Sequence, residues 1–206
     1  SVMRSLLRGW LGPVALSFLL ASCGGLPDQP VPDDEQSGSP SLPTVPPLGA
    51  PITAPAKTWT WVNFPDAVCD DGSATGIGVS LNPASKDLLI FLQGGGACWD
   101  YDSCAVSNTS THGPYGESQF NSTKLLFVIG SILDRNAKSW FQDMNMVYVP
   151  YCTGDVHTGD NVMTYDGGGD KKRVIHHKGR PNLIAFLKRI AATVPKPGKL
   201  VVTGSS

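Results

Sequence analysis

The sequence has little charge and no basic region. Its 206 residues include 16 lysine and arginine residues and 17 aspartate and glutamate residues, which gives a formal net charge of −1. Proteins that bind nucleic acid usually show a basic patch, because lysine and arginine neutralise phosphates. We therefore expect no nucleic-acid partner. No internal repeat is evident, and the length suits one domain of ordinary size with a tail.

The sequence also lacks the short Cys-x-x-Cys and Cys/His spacings that are typical of zinc sites. Residues 166–170 lack a calcium-loop pattern and are predicted to form a turn. We therefore expect no metal and no cofactor. An even number of cysteines in the globular part of an exported chain favours two disulfides, with three possible pairings. These cysteines are Cys69, Cys98, Cys104 and Cys152.

The apolar run near the N-terminus is too short for a comfortable membrane span. Residues 10–20 are apolar and follow Arg4 and Arg8, whereas a spanning helix needs about 20 apolar residues. The run leads into Leu20-Ala-Ser-Cys23, which resembles a bacterial lipobox, where a lipid is attached to the cysteine. We predict a lipoprotein signal peptide over residues 1–23, with export and lipid anchoring through Cys23 at the bacterial cell envelope, in the periplasm or at the cell surface. An uncleaved anchor or a plain secretory signal is the alternative.

Residues 24–57 contain almost no aromatic side chains and are rich in proline, serine, glycine and aspartate. Such a segment cannot bury enough apolar surface to offset its ordering entropy. We interpret it as a tether that holds the following domain away from a membrane. A proline-rich ligand for a partner is the alternative.

The globular part, residues 58–206, alternates apolar strands with a helix. Residues 88–92 and 146–150 are continuous apolar runs, as expected of strands buried on both faces. A helix is predicted over residues 181–194 from an apolar stripe at spacings of four, three and four, and residues 199–202 form another strand. The stripe consists of Leu183, Leu187, Ile190 and Val194. This order predicts an α/β fold with a mostly parallel sheet, and residues 155–173 are predicted to form a turn or hairpin over the surface.

Two glycine-containing turns follow the predicted strands. Gln93-Gly94-Gly95-Gly96 comes directly after a buried strand, where a glycine-rich loop of an α/β-hydrolase supplies part of the oxyanion hole. The last strand runs into Gly204-Ser205-Ser206, the first half of a nucleophile elbow. Alone, each pattern is typical of an ordinary turn. Together, in this order, they favour an esterase.

Three segments resemble the pectinacetylesterase family, which includes the Notum-type carboxylesterases. Residues 89–99, Leu-Ile-Phe-Leu-Gln-Gly-Gly-Gly-Ala-Cys-Trp, resemble its oxyanion-loop motif. Residues 145–157 resemble its segment that contains Tyr-Cys-x-x-Asp, and residues 202–206 resemble its nucleophile motif, which would continue Ala-Gly. The resemblance covers about residues 59–206. It implies an α/β-hydrolase-like fold, truncated here at the nucleophile elbow, and Ser–His–Asp hydrolysis of an ester.

The resemblance also assigns residues to the site. By position, Ser206 is the nucleophile, and Gly95 and Gly96 belong to the oxyanion loop. Family members often have an aromatic residue before the loop cysteine, where this sequence has Ala97, and Trp99 is expected to fill some of that space. The family pattern further suggests that Cys69 pairs with Cys152, and Cys98 with Cys104.

The histidines do not fit the expected base. In this fold the chain order is Ser, Asp, His, whereas His112, His157, His176 and His177 all precede Ser206. We expect surface or loop roles for all four, and adjacent His176 and His177 on opposite sides of a strand would not share a metal. Asp155 is expected to be structural, with a place at the pocket mouth as the alternative.

The most plausible function from sequence is an exported serine carboxylic-ester hydrolase that deacetylates a polysaccharide such as pectin. The chain is then the N-terminal part of the hydrolase domain, without the triad Asp and His, and is expected to be inactive. An exposed sheet edge would also make stable folding of this part doubtful. The alternatives are a deacylase acting on another acyl ester, such as a lipidated protein or a small ester, and a non-catalytic surface-binding lipoprotein of the same fold.

Overall fold

The computed structural model describes residues 49–136 and 139–206. The predicted signal peptide with Cys23, and the predicted tether up to residue 48, lie outside these residues. In chain order the regular elements are β1 (Thr60–Val68), β2 (Ala74–Ser80), β3 (Leu88–Leu92), a short π-helical turn (Asp102–Val106), α1 (Glu117–Val128), β4 (Asn145–Val149), β5 (Asn161–Asp166), β6 (Lys172–His177), α2 (Gly179–Thr193) and β7 (Leu200–Gly204).

Five strands form one sheet in the order β1-β2-β4-β3-β7. Strands β4, β3 and β7 are parallel neighbours, whereas β1 pairs with β2 and β2 with β4 in antiparallel fashion. Parallel neighbours need crossover connections, and α1 lies between β3 and β4 in the chain while α2 lies between β4 and β7. The α/β class and the two central strands predicted from sequence are confirmed.

The sheet has a hydrophobic core on each face. Side chains alternate along β3, so Leu88 and Ile90 belong to one core and Leu89 to the other. Helix α2 contributes Phe186 to the first core, and α1 contributes Phe120 to the second. Each fully buried side chain of this size contributes about 1.5–3 kcal/mol relative to an exposed one. This burial on both faces explains why β3 and β4 read as unbroken apolar runs.

Helix α2 exists where the sequence predicts it, but the predicted apolar stripe was only partly right. Phe186 and Ile190 are buried, while Leu187 remains 41% exposed. Phe186 packs edge-on against Phe64 with ring centroids 4.8 Å apart. A polar residue shares this face, because the Asn182 amide exchanges two hydrogen bonds with the backbone of Val68 at 3.1 and 2.7 Å.

Both disulfides implied by the family resemblance are present. Cys69 is bonded to Cys152 and Cys98 to Cys104. The predicted hairpin corresponds to β5 and β6, which pair with each other in a separate two-stranded sheet. Within the described part of the chain, neither α-helix has the combination of length and apolar character that crossing a bilayer requires.

Candidate active site

The two glycine-containing turns meet at one end of the sheet. Strands β3 and β7 are parallel and in register, with Leu92 opposite Gly204. Parallel neighbours end at the same edge, so the glycine loop (residues 93–97) and the serine turn (residues 204–206) leave the sheet side by side. The Ser205 N–H donates to the Leu92 carbonyl at 3.1 Å, which continues the strand pairing into the serine turn.

Two glycines of the loop are required by close approach. A Cβ on Gly94 would overlap the Ser205 carbonyl group and lie 2.8 Å from the Ser206 Cα. Gly96 has a φ of +74°, and a Cβ there would overlap the Thr109 carbonyl oxygen. L-residues with a Cβ rarely adopt such a φ. The missing side chain of Gly94 thus lets the glycine loop approach the serine turn, and that of Gly96 lets it approach the backbone of Thr109.

Carbonyl groups of the glycine loop are held by donors from elsewhere in the chain. The donor–acceptor pairs are His157 Nε2 to Gln93 O at 2.9 Å, Thr111 N to Gly95 O at 2.7 Å, and Tyr151 Oη to Gly96 O at 2.7 Å. By contrast, the N–H groups of Gly95 and Gly96 have no hydrogen-bond partner among the described residues. A trans peptide points its C=O and N–H in opposite directions, so fixing a carbonyl also fixes the direction of the neighbouring N–H.

The two serines of the serine turn differ in their hydrogen bonding. The Ser205 Oγ accepts the Gly94 N–H at 3.0 Å, which ties the serine turn to the glycine loop. The Ser206 hydroxyl makes no hydrogen bond to any residue that the structure describes. Of the two serine hydroxyls, that of Ser206 is the one left unbonded by the residues that the structure describes.

A cavity of about 550 Å³ opens between the glycine loop and the serine turn. It is lined by Leu92, Gln93, Gly94, Gly95, Gly96, Ala97, Tyr151, Val156, His157, Gly204, Ser205 and Ser206. No lining side chain is an aspartate, glutamate, lysine or arginine. The expectation for Trp99 was wrong, because this side chain is 67% exposed and does not line the cavity, whereas Ala97 does.

Tyr151 links the glycine loop to the segment that follows it in the cavity wall. Besides donating to Gly96, its hydroxyl accepts the Val156 N–H at 2.8 Å. Burial raises the pKa of the Tyr151 phenol above its ordinary value. The hydroxyl therefore stays protonated through neutral pH and remains a donor.

Asp155 supports the structure around the cavity. Its carboxylate accepts hydrogen bonds from the Thr153 hydroxyl at 2.6 Å, the His157 N–H at 3.1 Å and the Gly179 N–H at 2.7 Å. Gly179 is the first residue of α2, and a carboxylate is favourable at a helix N-terminus. These contacts favour the structural role predicted from sequence, and Asp155 is not among the residues that line the cavity.

The prediction of a surface or loop role was wrong for His177, whereas His112 and His157 lie in connecting segments outside the strands and helices. His157 lines the same cavity as Ser206. His177 is buried in β6, with Nδ1 3.0 Å from the Thr153 carbonyl oxygen. His112 pairs with the fully buried carboxylate of Asp70. These partners are far away in sequence, so no local pattern predicted them.

Within the described residues, one group of side chains has potential metal-ligand atoms close enough together to share an ion. Ligand atoms of Cys98, Cys104 and His177 lie within 4.8 Å of one another. The two sulfurs are joined in a disulfide, whereas a metal-binding cysteine is a thiolate. These atoms therefore form the surroundings of a disulfide, with the His177 Nε2 bonded to the Tyr165 hydroxyl at 3.0 Å.

Comparison with known proteins gives a consistent family. The family model described as pectinacetylesterase matches residues 57–206. The palmitoleoyl-protein carboxylesterase NOTUM of Schmidtea mediterranea is 35% identical over 111 residues, and the palmitoleoyl-protein carboxylesterase notum2 of Xenopus laevis is 32% identical over 100 residues. These matches cover 50% and 48% of this chain, and 20% of the length of each relative.

A solved structure has the same fold. The structure of the Wnt deacylase Notum from Drosophila matches 74% of this chain and 43% of its own, with a TM-score of 0.52 and 22% identity. At that identity the match carries the fold, which is α/β-hydrolase-like as the sequence predicts.

Proposed function

The chain belongs to the pectinacetylesterase family, and from this premise we propose that it supplies the nucleophile and the oxyanion hole of a serine carboxylic-ester hydrolase. One observation carries the proposal. Gly95 and Gly96, whose N–H groups have no partner among the described residues, line the same cavity as Ser206, whose hydroxyl is likewise unbonded there. A nucleophile beside preorganised donors is what acyl transfer requires.

In this mechanism the Ser206 Oγ attacks the carbonyl carbon of the ester, and the carbonyl oxygen becomes an oxyanion. The N–H groups of Gly95 and Gly96 donate to that oxygen as its charge develops. Removing one such donor typically costs about 2.7–4 kcal/mol of transition-state stabilisation. A general base takes the Ser206 proton during the attack and passes it to the leaving oxygen, so that the tetrahedral intermediate expels the alcohol. Water, activated by the same base, then hydrolyses the acyl-enzyme, which releases the acid and restores the Ser206 hydroxyl.

The general base is proposed to lie outside these residues. His157 is the histidine that shares the cavity, but its Nε2 bonds to the Gln93 carbonyl. A carbonyl oxygen only accepts, so this nitrogen carries a proton and cannot take one from Ser206. The family order Ser, Asp, His leads us to propose that an aspartate and a histidine following Ser206 complete the triad. Residues 49–206 alone are then inactive.

For the substrate, we propose acetyl groups on a polysaccharide such as pectin, in line with the description of the matching family.

The lipobox-like segment leads us to propose that Cys23 is lipidated and anchors the exported protein at the cell envelope. The measurement is membrane fractionation of Cys23→Ser. We expect soluble or unprocessed protein, and an unchanged membrane fraction contradicts lipidation.

A second candidate is a deacylase acting on a longer acyl ester. Two relatives are palmitoleoyl-protein carboxylesterases by name. The favouring observation in this chain is a second cavity of about 640 Å³, which shares Gln93, Gly94 and Ser205 with the first. Its lining includes Phe91, Tyr115, Leu126 and Tyr148. An aromatic and aliphatic lining suits an acyl chain.

Hydrolysis of p-nitrophenyl acetate by the full-length protein tests the proposal. Ser206→Ala is expected to reduce kcat by more than about 10³-fold, as removal of a nucleophile does in serine hydrolases. The neighbouring Ser205→Ala is the matched comparison, and we expect it to lose only about 10-fold, because it removes one hydrogen bond to Gly94. Full activity in Ser206→Ala contradicts the proposed nucleophile.

A substrate series separates the alternatives. Release of acetate from acetylated pectin, with little hydrolysis of p-nitrophenyl palmitate, supports the polysaccharide. The reverse preference supports the long-chain deacylase. Wild-type protein that hydrolyses none of these esters supports the non-catalytic surface-binding alternative.

A further inference from the structure

We infer that His157 is a positioning residue of the oxyanion hole. It holds the peptide unit between Gln93 and Gly94 and thereby fixes the orientation of the glycine loop. The inference rests on the proposed function and concerns a residue that takes no part in the triad.

The His157 ring donates to the glycine loop. Its Nε2 lies 2.9 Å from the Gln93 carbonyl oxygen. Because a carbonyl oxygen has no proton to give, the chemistry of the pair assigns the proton to Nε2. The side chain thus acts on the loop as a fixed N–H donor, whichever state its Nδ1 adopts.

The other end of the same peptide unit is also held. The Gly94 N–H donates to the Ser205 Oγ at 3.0 Å. Since the peptide is planar, a donor on its oxygen and an acceptor on its nitrogen together fix its rotation. The N–H groups of Gly95 and Gly96 belong to the next two peptide units, so the rotation of the Gln93–Gly94 unit affects the direction in which those donors point. His157 is the half of this clamp that lies outside the serine turn.

Removing the donor would expose a carbonyl dipole at a sensitive place. Gln93, His157 and Ser206 line one cavity. An unpaired Gln93 carbonyl oxygen there presents negative partial charge close to the position where the oxyanion develops, which opposes the reaction. His157 therefore has two effects, since it both orients the loop and neutralises that dipole.

The ring itself is held in place by its surroundings. It packs against the Tyr151 ring, with centroids 4.9 Å apart. Val156 and His157 both have positive φ values, 56° and 60°. This conformation is unusual for any residue with a Cβ and a clear outlier for a β-branched one such as Val156. Such conformations persist only where the surroundings impose them, and they concentrate at functional sites.

The contacts that impose this conformation also lead to the glycine loop. The Val156 N–H donates to the Tyr151 hydroxyl, which in turn donates to the Gly96 carbonyl, and the His157 N–H donates to Asp155. Tyr151 and His157 thus hold two carbonyls on either side of the unpaired N–H groups. The unusual backbone is what brings the His157 ring to Gln93.

Steady-state kinetics of the full-length protein with p-nitrophenyl acetate test the inference. His157→Phe keeps a planar ring but has no donor, and we expect kcat to fall about 10²-fold, the size of effect that misplacing a reacting group produces, with KM within about threefold. His157→Gln offers an amide N–H and is expected to recover about tenfold of that loss. His176→Phe is the matched control, because His176 lies in β6 outside the cavity, and it is expected to retain full kcat.

Three outcomes overturn the inference. Full kcat in His157→Phe shows that the hydrogen bond to Gln93 is not needed. A rise in KM with unchanged kcat makes His157 a substrate contact. Equal losses in the Phe and Gln variants show that the donor is not the cause. Each variant is checked by urea unfolding. If His157→Phe does not fold, His157→Met, which also lacks a donor, takes its place, with full kcat contradicting the inference and a loss of about 10²-fold supporting it.

Ser206→Ala separates this inference from the proposed function. If Ser206→Ala is inactive and His157→Phe is fully active, the esterase proposal stands and the positioning role falls. If Ser206→Ala is active, the nucleophile proposal falls, and the clamp on the Gln93–Gly94 unit then has no oxyanion hole to serve.

Discussion

The two walls of the cavity are built differently. The glycine loop is held by hydrogen bonds from Thr111, Tyr151 and His157, and a disulfide follows it at Cys98. The serine turn ends β7, an edge strand with one neighbour among the described residues. The wall formed by the glycine loop (the loop wall) is thus preorganised by several contacts. The wall formed by the serine turn (the serine wall) depends on the pairing of β7 with β3 and on one hydrogen bond, which the Gly94 N–H donates to the Ser205 Oγ.

The exposed side of β7 shows the same contrast. Leu200 and Val202 are 56% and 57% exposed, while Ile90 on the adjacent strand is buried. The oxyanion hole that we propose must be rigid before the substrate arrives, and the hydrogen bonds to the glycine loop would supply that rigidity. Three predictions test whether substitutions that affect the loop wall lower the free energy of unfolding more than one on the serine wall.

The largest effect is expected from removing the disulfide between Cys69 and Cys152. Cys152 follows Tyr151 in the chain, and its bond to Cys69 closes a separation of 83 residues. On chain-entropy arithmetic, Cys69→Ala/Cys152→Ala lowers the free energy of unfolding by about 4–5 kcal/mol. Cys98→Ala/Cys104→Ala, with a separation of 6, lowers it by about 2 kcal/mol. Urea denaturation of the full-length protein measures both, and equal losses contradict the loop-length argument.

An intermediate effect is expected from a methyl group in the glycine loop. Gly96→Ala combines a positive φ with an overlap of the new Cβ and the Thr109 carbonyl oxygen. We expect it to lower the free energy of unfolding by about 2–3 kcal/mol and to reduce esterase activity at least tenfold.

Gly168→Ala is the matched control for that substitution. Gly168 has a φ of +86° in the β5–β6 hairpin, but a Cβ there has no atom within 4 Å. It therefore carries only the backbone penalty, about 1–2 kcal/mol, and is expected to leave activity unchanged. If both variants lose the same stability and the same activity, the close packing of the loop wall is not what matters.

The smallest effect is expected on the serine wall. Val202→Thr changes an exposed side chain of β7 and keeps its β-branched shape. We expect the free energy of unfolding to change by no more than about 0.5 kcal/mol. A loss above about 1.5 kcal/mol in the full-length protein shows instead that another segment covers this face of β7, which would reduce the contrast between the walls.

Local patterns predicted much of this fold. The continuous apolar runs at β3 and β4 and the helical period of α2 depend on burial of neighbouring residues, which sequence spacing records. Helix α1 was missed. Its first turns contain Ser118, Gln119, Asn121 and Ser122, and Phe120 is fully buried there against Trp61 and Tyr148. That burial results from tertiary packing, and the polar residues around Phe120 give this part of the helix no apolar periodicity from which it could be predicted.

The residues of the candidate site show the same difference between local patterns and tertiary contacts. The glycine loop and the serine turn were predicted because backbone requirements select glycine locally. Their supporting residues were not predicted, since His157 bonds to a carbonyl 64 positions away and Tyr151 to one 55 positions away. Tyr151 itself belongs to the Tyr-Cys-x-x-Asp segment and His157 follows that segment by two positions, so the family resemblance was the one signal for this part of the chain.

The way the glycine loop is held has a consequence for altering this enzyme class. Transplanting residues 93–97 into another scaffold would move the carbonyl groups without their donors, so the graft must also include Thr111, Tyr151 and His157. Ala97 and Trp99 are different, because none of these supporting hydrogen bonds uses their side chains. A combinatorial library at Ala97 can vary the lining of the cavity, and one at Trp99 can vary the exposed surface next to it, while both retain the hydrogen bonds that hold the glycine loop.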